Sequence, residues 1–520
     1  MDNAMNLWMI GRLAVLVLSM GLSWSGRAQD AAGWAGAQVT KTDLLAGETN
    51  YGNHAYFFAA AMPRTGCHVA KVEGERGKEV FVRRDGKRGK GYQNVAHPVF
   101  SPDGSALGYA VSGGAGPQWG RFVINDREGP LFEEVFPDTF VFSNDGKRHA
   151  YLAKRLERIV VVVDGQPQPR GDGDMKPFFI PPRFNQVPTF SPEGTSVGYI
   201  EDSRRLKKMR VVTNGKPGEL FDGIDLRSLK FSSDGRRFLY AANEAKPSSR
   251  WFCVIDGKRR SAFDSVGVSF AISPDAKRIA YSGRRGAQWF LVVDGEMEVP
   301  IEGIVDHSLI FSPDSRRLAY AVAKSDRRAY LVVDGKPGPI HDGIGGSFPA
   351  GLASDRAHMQ TFYGSARQSL LFSPDSGRIA YLAHFGGKKR VFVGDKDDGV
   401  EMEYLEGGMV FSEDSKRLAY GGRGFDNMFR EKRFLVVDGK RGADYDGLGY
   451  FGFSQDGKHI AYVAKKGSEF VIVVDGREHG KYSAVPAGPV FRSDGVLEFL
   501  AADEHSLYRF EVKNYGSPLL

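Results

Sequence analysis

Residues 194–198 (GTSVG) match the G-x-S-x-G pattern that surrounds the nucleophilic serine of many hydrolases. That pattern works only where a strand turns sharply into a helix, so that the serine hydroxyl is presented to a histidine base. Here the pattern is followed directly by an alternating, strand-like sequence, so we expect a turn between two strands. The sequence therefore predicts no catalytic serine at Ser196.

Residues 395–399 (DKDDG) form an acidic, turn-like segment that could bind a cation. Their spacing departs from the calcium-loop pattern D-x-[DN]-x-[DN]-G, so we expect a hairpin turn instead. The eleven histidines include no H-E-x-x-H or H-x-x-x-H pair, which a zinc site on one helix would need. We predict no metal, no cofactor and no catalytic residue.

The chain is built from a repeated unit, F-S-x-D-[GS]-x-x-h-x-Y, where h is a hydrophobic residue. Successive copies lie 38 to 48 residues apart, with one interval of 61 residues. A degenerate further copy spans Phe58 to Gly86, which gives about eleven units. The other copies begin at Phe100, Phe142, Phe190, Phe231, Ile272, Phe311, Phe372, Phe411, Phe453 and Phe491.

Each unit predicts four short strands, which we call A to D. Strand A ends in the Phe-Ser step, strand B alternates apolar and polar residues, and strand C is β-branched, as in residues 330–333 (YLVV). Asp334-Gly335 predicts a type I′ hairpin turn between strands C and D. In the A–B turn, Ser315, Ser376 and Ala276 replace the glycine of other copies, which predicts that this position does not need a positive φ.

Four antiparallel strands per unit of about 40 residues are typical of a β-propeller blade. The F-S-P-D-[GS]-x-R-h-A-Y motif resembles the TolB-type, WD-like propeller repeat of bacterial exported proteins, over residues 57 to about 513. The resemblance implies an all-β propeller and specifies no function. The sequence leaves no room for the N-terminal α/β domain of TolB, and we do not transfer its lipoprotein partner.

About eleven repeats exceed the four to eight blades usual in one ring, which favours two rings over one large ring. The predicted domains are a signal peptide (1–28), an N-terminal segment (29–56), repeats 1–7 (57–344), an insertion or boundary (345–371) and repeats 8–11 (372–520). Residues 39–45 (VTKTDLL) are predicted to supply strand D of the last repeat, where the chain has little sequence left. An interleaved division of the repeats between two rings fits the sequence equally well.

The turns between strands B and C are basic. Their formal charges add to +15, whereas the rest of the chain after residue 28 adds to −9. A basic surface at one end of a propeller would attract anionic partners. The candidate binding residues are Arg204, Arg205, Lys207, Lys208, Arg284, Arg285, Arg327, Arg328, Lys388, Lys389 and Arg390. The alternative is a solvated surface kept basic for solubility.

Trp251 and Trp289 lie beside these turns and would stack on a sugar or pack between blades.

The first 28 residues are typical of a signal peptide. An apolar run (13–24) follows Arg12 and precedes small residues at Gly26 and Ala28, so we expect cleavage near Ala28. This run is shorter than the ~20 residues of a membrane span, and we expect a periplasmic or secreted protein. Of the two cysteines, Cys253 occupies a core slot that holds leucine in other repeats, which predicts a small core side chain; a bridge between Cys253 and Cys67 is the alternative.

The sequence predicts an exported, non-enzymatic propeller that binds a protein or an anionic polymer, such as an acidic polysaccharide or a cell-envelope component, and not nucleic acid. The alternative is a polysaccharide lyase or hydrolase with its site in a central funnel. Some propeller lyases assemble a metal site from histidines of different blades. The histidines that would have to meet in this way are His54, His97, His307, His341, His358 and His384.

Overall fold

The computed structural model describes residues 37–43, 58–61, 68–74, 79–85, 87–112, 119–156, 158–168, 176–177, 188–203, 206–226, 228–245, 250–295, 297–345, 369–426, 428–502 and 507–515. These residues form strands and turns and contain no helix, so none of them lies in a helix that could cross a membrane. The signal-peptide prediction for residues 1–28, Cys67 and most of the 345–371 insertion fall outside the described residues.

The chain divides into two compact units. Unit 1 comprises the described residues between 37 and 238 and between 482 and 514, and unit 2 comprises those from 239 to 481 together with Tyr515. Unit 2 therefore includes sheets on both sides of the 345–371 insertion.

The strands of unit 1 form sheets that we number by their order in the chain. Sheet 1 is β2 (Phe58–Ala61), β3 (His68–Gly74), β4 (Val80–Arg84) and β5 (Lys87–Tyr92); sheet 2 is β6 (Val95–Phe100), β7 (Leu107–Ser112), β8 (Trp119–Ile124) and β9 (Arg127–Glu128). Sheet 3 is β10 (Glu134–Phe142), β11 (His149–Arg155), β12 (Arg158–Val163) and β13 (Gln166–Pro167); sheet 4 is β14 (Lys176–Pro177), β15 (Thr189–Phe190), β16 (Val197–Ser203), β17 (Lys208–Thr213) and β18 (Lys216–Pro217). Two short strands follow, β19 (Gly223–Ile224) and β20 (Lys230–Phe231).

In unit 2, sheet 5 contains β21 (Phe238–Glu244), β22 (Arg250–Ile255) and β23 (Lys258–Phe263); sheet 6 is β24 (Ser265–Ile272), β25 (Ile279–Arg285), β26 (Gln288–Val293) and β27 (Met297–Ile301). Sheet 7 is β28 (Ile310–Phe311), β29 (Leu318–Ala323), β30 (Ala329–Val333) and β31 (Lys336–His341); sheet 8 is β32 (Gly343–Ile344), β33 (Leu370–Phe372), β34 (Ile379–Phe385), β35 (Lys388–Val393) and β36 (Lys396–Asp397). Sheet 9 is β37 (Tyr404–Phe411), β38 (Leu418–Phe425), β39 (Glu431–Val437) and β40 (Lys440–Arg441); sheet 10 is β41 (Gly447–Phe453), β42 (Ile460–Lys466), β43 (Glu469–Val474) and β44 (Arg477–Tyr482).

Sheet 11, in unit 1, draws its strands from both ends of the chain. It consists of β45 (Ala484–Phe491), β46 (Leu497–Ala502), β47 (Leu507–Lys513) and β1 (Gln38–Asp43). Strand β1 pairs antiparallel with β47, from Gln38 opposite Lys513 to Asp43 opposite Tyr508. The N-terminal segment thus takes the position that the sequence analysis assigned to residues 39–45.

The sheets are antiparallel, with strands in the order A, B, C, D, and this is the blade of a β-propeller. The predicted fold class, all-β with propeller-type repeats, is confirmed. The core lies between consecutive sheets within each unit: Tyr381 and Phe392 of sheet 8, for example, pack with Leu331 of sheet 7. Because a single sheet cannot cover both of its apolar faces, each repeat depends on its neighbour.

The two repeated turns differ in how well the sequence predicted them. At the C–D turn, Asp334 and Gly335 both have positive φ (53° and 78°), as a type I′ turn requires. The prediction for the A–B turn was wrong: Ala276, Ser315, Ser376 and Ser415 have φ between 60° and 67°, as the glycines of other copies do. The serines are held there by a contact that the sequence does not show, since each Oγ accepts a backbone hydrogen bond from the preceding sheet.

A second recurrent contact also joins neighbouring sheets. Arg317 donates from Nε to Oδ2 of Asp334 in its own sheet (2.8 Å) and from Nη1 to the backbone oxygen of Ser376 in the next sheet (3.0 Å). Arg148 and Arg417 make the same pair of contacts. The arginine of the F-S-P-D-[GS]-x-R motif is therefore a structural residue, placed at the end of the sheets that carries the A–B and C–D turns.

Candidate binding surface at the B–C turns

The opposite end of each sheet carries the B–C turn and the segment that joins strand D to the next strand A. We call this the B–C end and treat it separately in each unit. Because strands B and C run antiparallel and strand A starts where strand D stops, both kinds of connection meet at this end. The nine described residues among the eleven that were predicted to bind a partner belong to B–C turns or the strand ends beside them.

In unit 1 the predicted basic cluster is only partly described. Arg204 and Arg205 lie outside the described residues. Lys207 is exposed in the turn before β17, whereas Lys208 is half-buried, and its Nζ lies 2.9 Å from Oδ1 of Asp222. The charge of Lys208 is therefore matched by a carboxylate of the following D–A segment.

In sheets 6 and 7 of unit 2, one of each predicted pair of arginines is held by a carboxylate. The guanidinium of Arg285 donates two hydrogen bonds to the carboxylate of Glu298, at 2.5 and 2.9 Å. Arg328 donates to Asp326 within its own turn, at 2.6 and 2.9 Å. Arg284 and Arg327 are exposed. A bidentate pair of this kind consumes the donors that an anionic ligand would need.

The three basic residues of sheet 8 are engaged as well. Lys388 donates to the carboxylate of Glu403, and Arg390 donates to Asp397 (2.8 Å) and to Glu401. Lys389 is half-buried: its Nζ donates to the backbone oxygen of Glu403 (2.7 Å). Burial lowers the pKa of Lys389, whereas the hydrogen bond to Glu403 raises the pKa of Lys388.

The carboxylates that pair with the B–C turns come largely from one recurrent position, directly before strand A. Besides Asp222 and Glu403, this set includes Glu133, Asp264, Glu302, Asp342 and Asp446. They bind either a turn amide, as Asp342 binds the N–H of Gly386 (2.8 Å), or a turn lysine, as Glu302 binds Lys324 (2.9 Å). The excess positive charge counted in the B–C turns is thus met by carboxylates at the same end of the sheets.

The sequence analysis missed these acidic partners. Their signal is a repeated acidic-glycine-aliphatic step, at residues 222–224, 302–304, 342–344 and 446–448. The charge count covered the B–C turns alone, so these acidic residues were counted with the rest of the chain. The binding role of the eleven basic residues stays a prediction. Of the nine that the structure describes, six donate to carboxylate or backbone oxygens, whereas Lys207, Arg284 and Arg327 are exposed.

Exposed apolar side chains gather at the B–C end. Among the described residues, the exposed large hydrophobic side chains are Leu131, Leu156, Leu206, Leu220, Ile340, Phe385, Tyr404, Phe425, Met428, Phe429 and Tyr450. All of them except Tyr450, which lies in the bulge of β41, are in or beside a B–C turn or a D–A segment. Their placement makes the B–C end of each unit the candidate for an interaction surface.

In unit 2 the aromatic side chains at this end lie beside cations. The Nζ of Lys389 and the guanidinium of Arg423 are each 4.2 Å from the ring centre of Tyr404. The guanidinium of Arg390 is 4.8 Å from the ring of Phe385. Such contacts hold the rings in place at roughly 0.5–1 kcal/mol each at exposed sites.

The histidines of the proposed lyase site are dispersed. His97 lies 3.3 Å from Asp138, His341 contacts the hydroxyl of Tyr381 (3.2 Å), and His384 contacts the backbone oxygen of Gly345 (2.7 Å). His307 lies in the turn before β28 of sheet 7, and His54 and His358 fall outside the described residues. Within the described parts of the chain, no three His, Cys, Asp or Glu side chains are grouped as metal ligands.

The remaining chemical candidates are structural. Ser196 is buried in an A–B turn, and its Oγ donates to the backbone oxygen of Gly235 (2.8 Å), so it is not a presented nucleophile. Trp251 and Trp289 are half-buried and pack against the cores between sheets 5, 6 and 7. Cys253 is a free thiol in the core, as predicted, and burial raises its pKa.

In the acidic segment 395–399, Asp397 pairs with Arg390, while Asp398 accepts a hydrogen bond from Tyr420 and has its pKa raised by burial. These carboxylates serve the packing of sheets 8 and 9.

No protein-family model matches the sequence, and no curated protein is significantly similar to it. Solved structures with a similar fold include a eukaryotic initiation factor, at 13% identity and a TM-score of 0.37, covering 78% of this chain and 97% of the other. The Dos1 propeller aligns at 11% identity and a TM-score of 0.30, over 62% of this chain and 90% of its own. TolB from Acinetobacter baumannii aligns at 13% identity and a TM-score of 0.22, over 62% and 78%. The likeness extends to the fold alone.

Proposed function

We propose that the chain is an exported, non-enzymatic propeller protein that binds a partner macromolecule through the B–C end of its sheets. The observation that carries this proposal is the distribution of exposed apolar side chains. Leu156 (69% exposed), Phe385 (53%) and Phe429 (88%) lie at this end, whereas the A–B and C–D turns present mainly Ser, Asp, Gly, Lys and Arg. Exposure of apolar surface to water is unfavourable, and the free energy falls when a partner covers that surface.

The charge arrangement favours a protein partner over an anionic polymer. An acidic polysaccharide needs unpaired cations, but Lys208, Arg285 and Lys388 are bound to carboxylates. Aromatic and methionine side chains among paired charges are instead the composition of a protein–protein interface. The predicted signal peptide (1–28) supports an exported location, where a repeat scaffold of this size would meet an envelope or secreted protein.

A cross-linking experiment in the producing cell tests the proposal. Exposed lysines mark both ends of the sheets: Lys207, Lys388 and Lys466 at the B–C end, and Lys147, Lys416 and Lys458 at the other. With a lysine-reactive cross-linker, we expect intermolecular links from the B–C set only. Links from the other set, or equal links from both, would overturn the proposal. Loss of the links when Phe385 and Leu156 are changed to Ser would show that the apolar side chains, and not the lysines, hold the partner.

A further inference from the structure

The hairpin of β38 and β39 differs from the other B–C turns of unit 2. Sheets 6, 8 and 10 close this connection with a two-residue, glycine-containing turn, and sheet 7 uses a polar one. In sheet 9, the described part of the turn carries three exposed apolar side chains, Phe425 (55%), Met428 (69%) and Phe429 (88%). We call these three residues the tip. Because these three side chains are exposed, they do not contribute to the core, and the corresponding turns of the other sheets are short or polar.

The backbone of the tip is held in one conformation by Asp426. Its Oδ1 accepts hydrogen bonds from the N–H groups of Met428 (2.8 Å) and Arg430 (2.9 Å), and its Oδ2 accepts one from Nε of Arg430 (2.8 Å). Its backbone oxygen accepts the N–H of Phe429 (2.9 Å). The tip is therefore organised before it meets a partner, which reduces the entropy cost of binding.

Phe429 has φ = 57°, a left-handed conformation that is sterically unfavourable for a non-glycine residue. Glycine fills the left-handed positions of the shorter turns, such as Gly286 and Gly467. Because Phe429 is 88% exposed, folding buries almost none of its side chain, so little apolar burial offsets the backbone strain.

The cations around the tip are paired with carboxylates. Arg430 binds Asp426, Lys432 binds Asp446 (2.7 Å), and Arg423 lies 3.3 Å from Glu431. Arg433 binds Glu406 at 2.9 Å. A membrane-inserting turn would need unpaired basic residues to attract anionic lipid. An apolar tip ringed by balanced charge fits a protein surface instead, where a few buried side chains supply most of the binding energy.

We infer that Phe425, Met428 and Phe429 insert into an apolar pocket of a protein partner, as the anchor of the interface proposed for the B–C end. The inference rests on that proposed function. Aromatic side chains bury roughly 150–250 Å² each, so the tip alone falls short of the ~800 Å² per partner of a standard interface. The partner must therefore also cover neighbouring residues such as Phe385 and Tyr404, and tip-to-tip packing of two copies is too small to be stable.

The test uses the full chain with a photoreactive benzoyl-phenylalanine at position 429, and at position 416 in an A–B turn as a control, expressed in the producing cell. We expect position 429 to give a discrete adduct with one other protein. That protein is then purified, and its binding to the wild-type chain and to the variants Phe425→Ser, Met428→Ser and Phe429→Gly is measured.

We expect each variant to weaken binding about tenfold or more. Phe429→Gly should keep or raise the unfolding midpoint, because glycine accepts a positive φ, so its loss of binding cannot come from misfolding. The Kd should change little between about 0.1 and about 1 M salt, where the Debye length falls from ~10 to ~3 Å.

Several results would overturn the inference. These are adducts with a second copy only, an unchanged Kd in the tip variants, or tip-dependent binding to vesicles of phosphatidylglycerol and phosphatidylethanolamine. If the partner binds the tip variants normally but binds Phe385→Ser or Leu156→Ser weakly, the tip inference fails and the proposed function stands. If the cross-links come from the end with the A–B turns, both the tip inference and the proposed function fail.

Discussion

The hydroxyl of Ser376 accepts a hydrogen bond of 3.0 Å from the backbone N–H of Asp314, which lies in the A–B turn of the preceding sheet. Ser376 has φ = 64°, so this contact between sheets offsets a strained backbone. We expect Ser376→Ala to destabilise the protein by about 1 kcal/mol, because it removes the hydrogen bond and keeps the strain.

Ser376→Gly is the matched control for that change. Glycine loses the same hydrogen bond but adopts positive φ without strain, as Gly104 and Gly146 do in sister turns. The relief of backbone strain then nearly offsets the lost hydrogen bond. The unfolding temperature measured by calorimetry should therefore be close to that of the wild type for the glycine variant and lower for the alanine variant. Equal destabilisation by both substitutions would show that backbone strain contributes nothing at this position.

Arg317 joins Asp334 of its own sheet to the backbone oxygens of Ser376 (3.0 Å) and Gly377 (3.2 Å) in the next. Lysine cannot reproduce this fork, so Arg317→Lys should destabilise unit 2 by about 1–3 kcal/mol despite keeping the charge. The neighbouring Arg316 is exposed, and Arg316→Lys provides the control. Hydrogen exchange of the amides in strands β29 and β34 measures the local loss of stability. Protection equal to wild type in Arg317→Lys would contradict the role of Arg317 in joining the two sheets.

The A–B turn that contains Asp456 should lose stability in acid. The hydrogen bond from Ser454, with that from the backbone of Lys458, lowers the pKa of Asp456 to about 2. A carboxylate with a lowered pKa contributes stability above its unfolded pKa of about 4, and this contribution is lost as the pH falls toward 2. We expect Ser454→Ala to move the pKa of Asp456 upward, measured by its carboxyl NMR shift. A titration curve identical to that of the wild type would show that the hydrogen bond from Ser454 does not lower the pKa of Asp456.

Lys388 and Lys389 are adjacent in the chain but should titrate differently. Burial lowers the pKa of Lys389, whereas the hydrogen bond to Glu403 raises the pKa of Lys388. The amine of Lys389 should therefore become reactive toward an acylating reagent at a lower pH than that of Lys388. Peptide mass spectrometry across a pH series measures both midpoints in one sample, and the reverse order would contradict the observed placement of the two side chains.

The paired charges at the B–C end predict weak retention on a sulfated polysaccharide matrix. Removing a carboxylate partner should unmask its cation, so Glu298→Gln and Glu403→Gln are expected to elute at higher salt than wild type. Arg284→Ala, which removes an exposed arginine, should elute at slightly lower salt. Tight wild-type binding that disappears on changing Arg284 or Arg327 would instead support the anionic-polymer partner.

Much of the fold was predictable because its determinants are local. The F-S-x-D turn, the alternating strand B and the Asp334-Gly335 turn each act within a few residues, and repetition makes the pattern unmistakable. The burial of Cys253 followed in the same way, by comparison with the leucines that fill its slot in other repeats.

The candidate site was predictable only in its location. The sequence singled out the B–C turns by their charge, but the carboxylates that pair with them lie in other segments, as Glu298 lies 13 residues after Arg285 and Glu403 lies 15 residues after Lys388. The positive φ of Ser376 likewise depends on a backbone amide 62 residues away. Counting charges or turn residues one repeat at a time cannot detect such partners.

The sequence by itself determined the repeat, the four-stranded sheets and the end of each sheet where variation is concentrated. The tertiary structure decided which of those varied residues are available to a partner. It bound several of the arginines and lysines to carboxylates, as Arg285 to Glu298 and Lys388 to Glu403, and left Phe425, Met428 and Phe429 exposed. The reason is physical: charge and exposure are set by neighbours in space, and antiparallel strands bring together the two connections that the chain keeps apart.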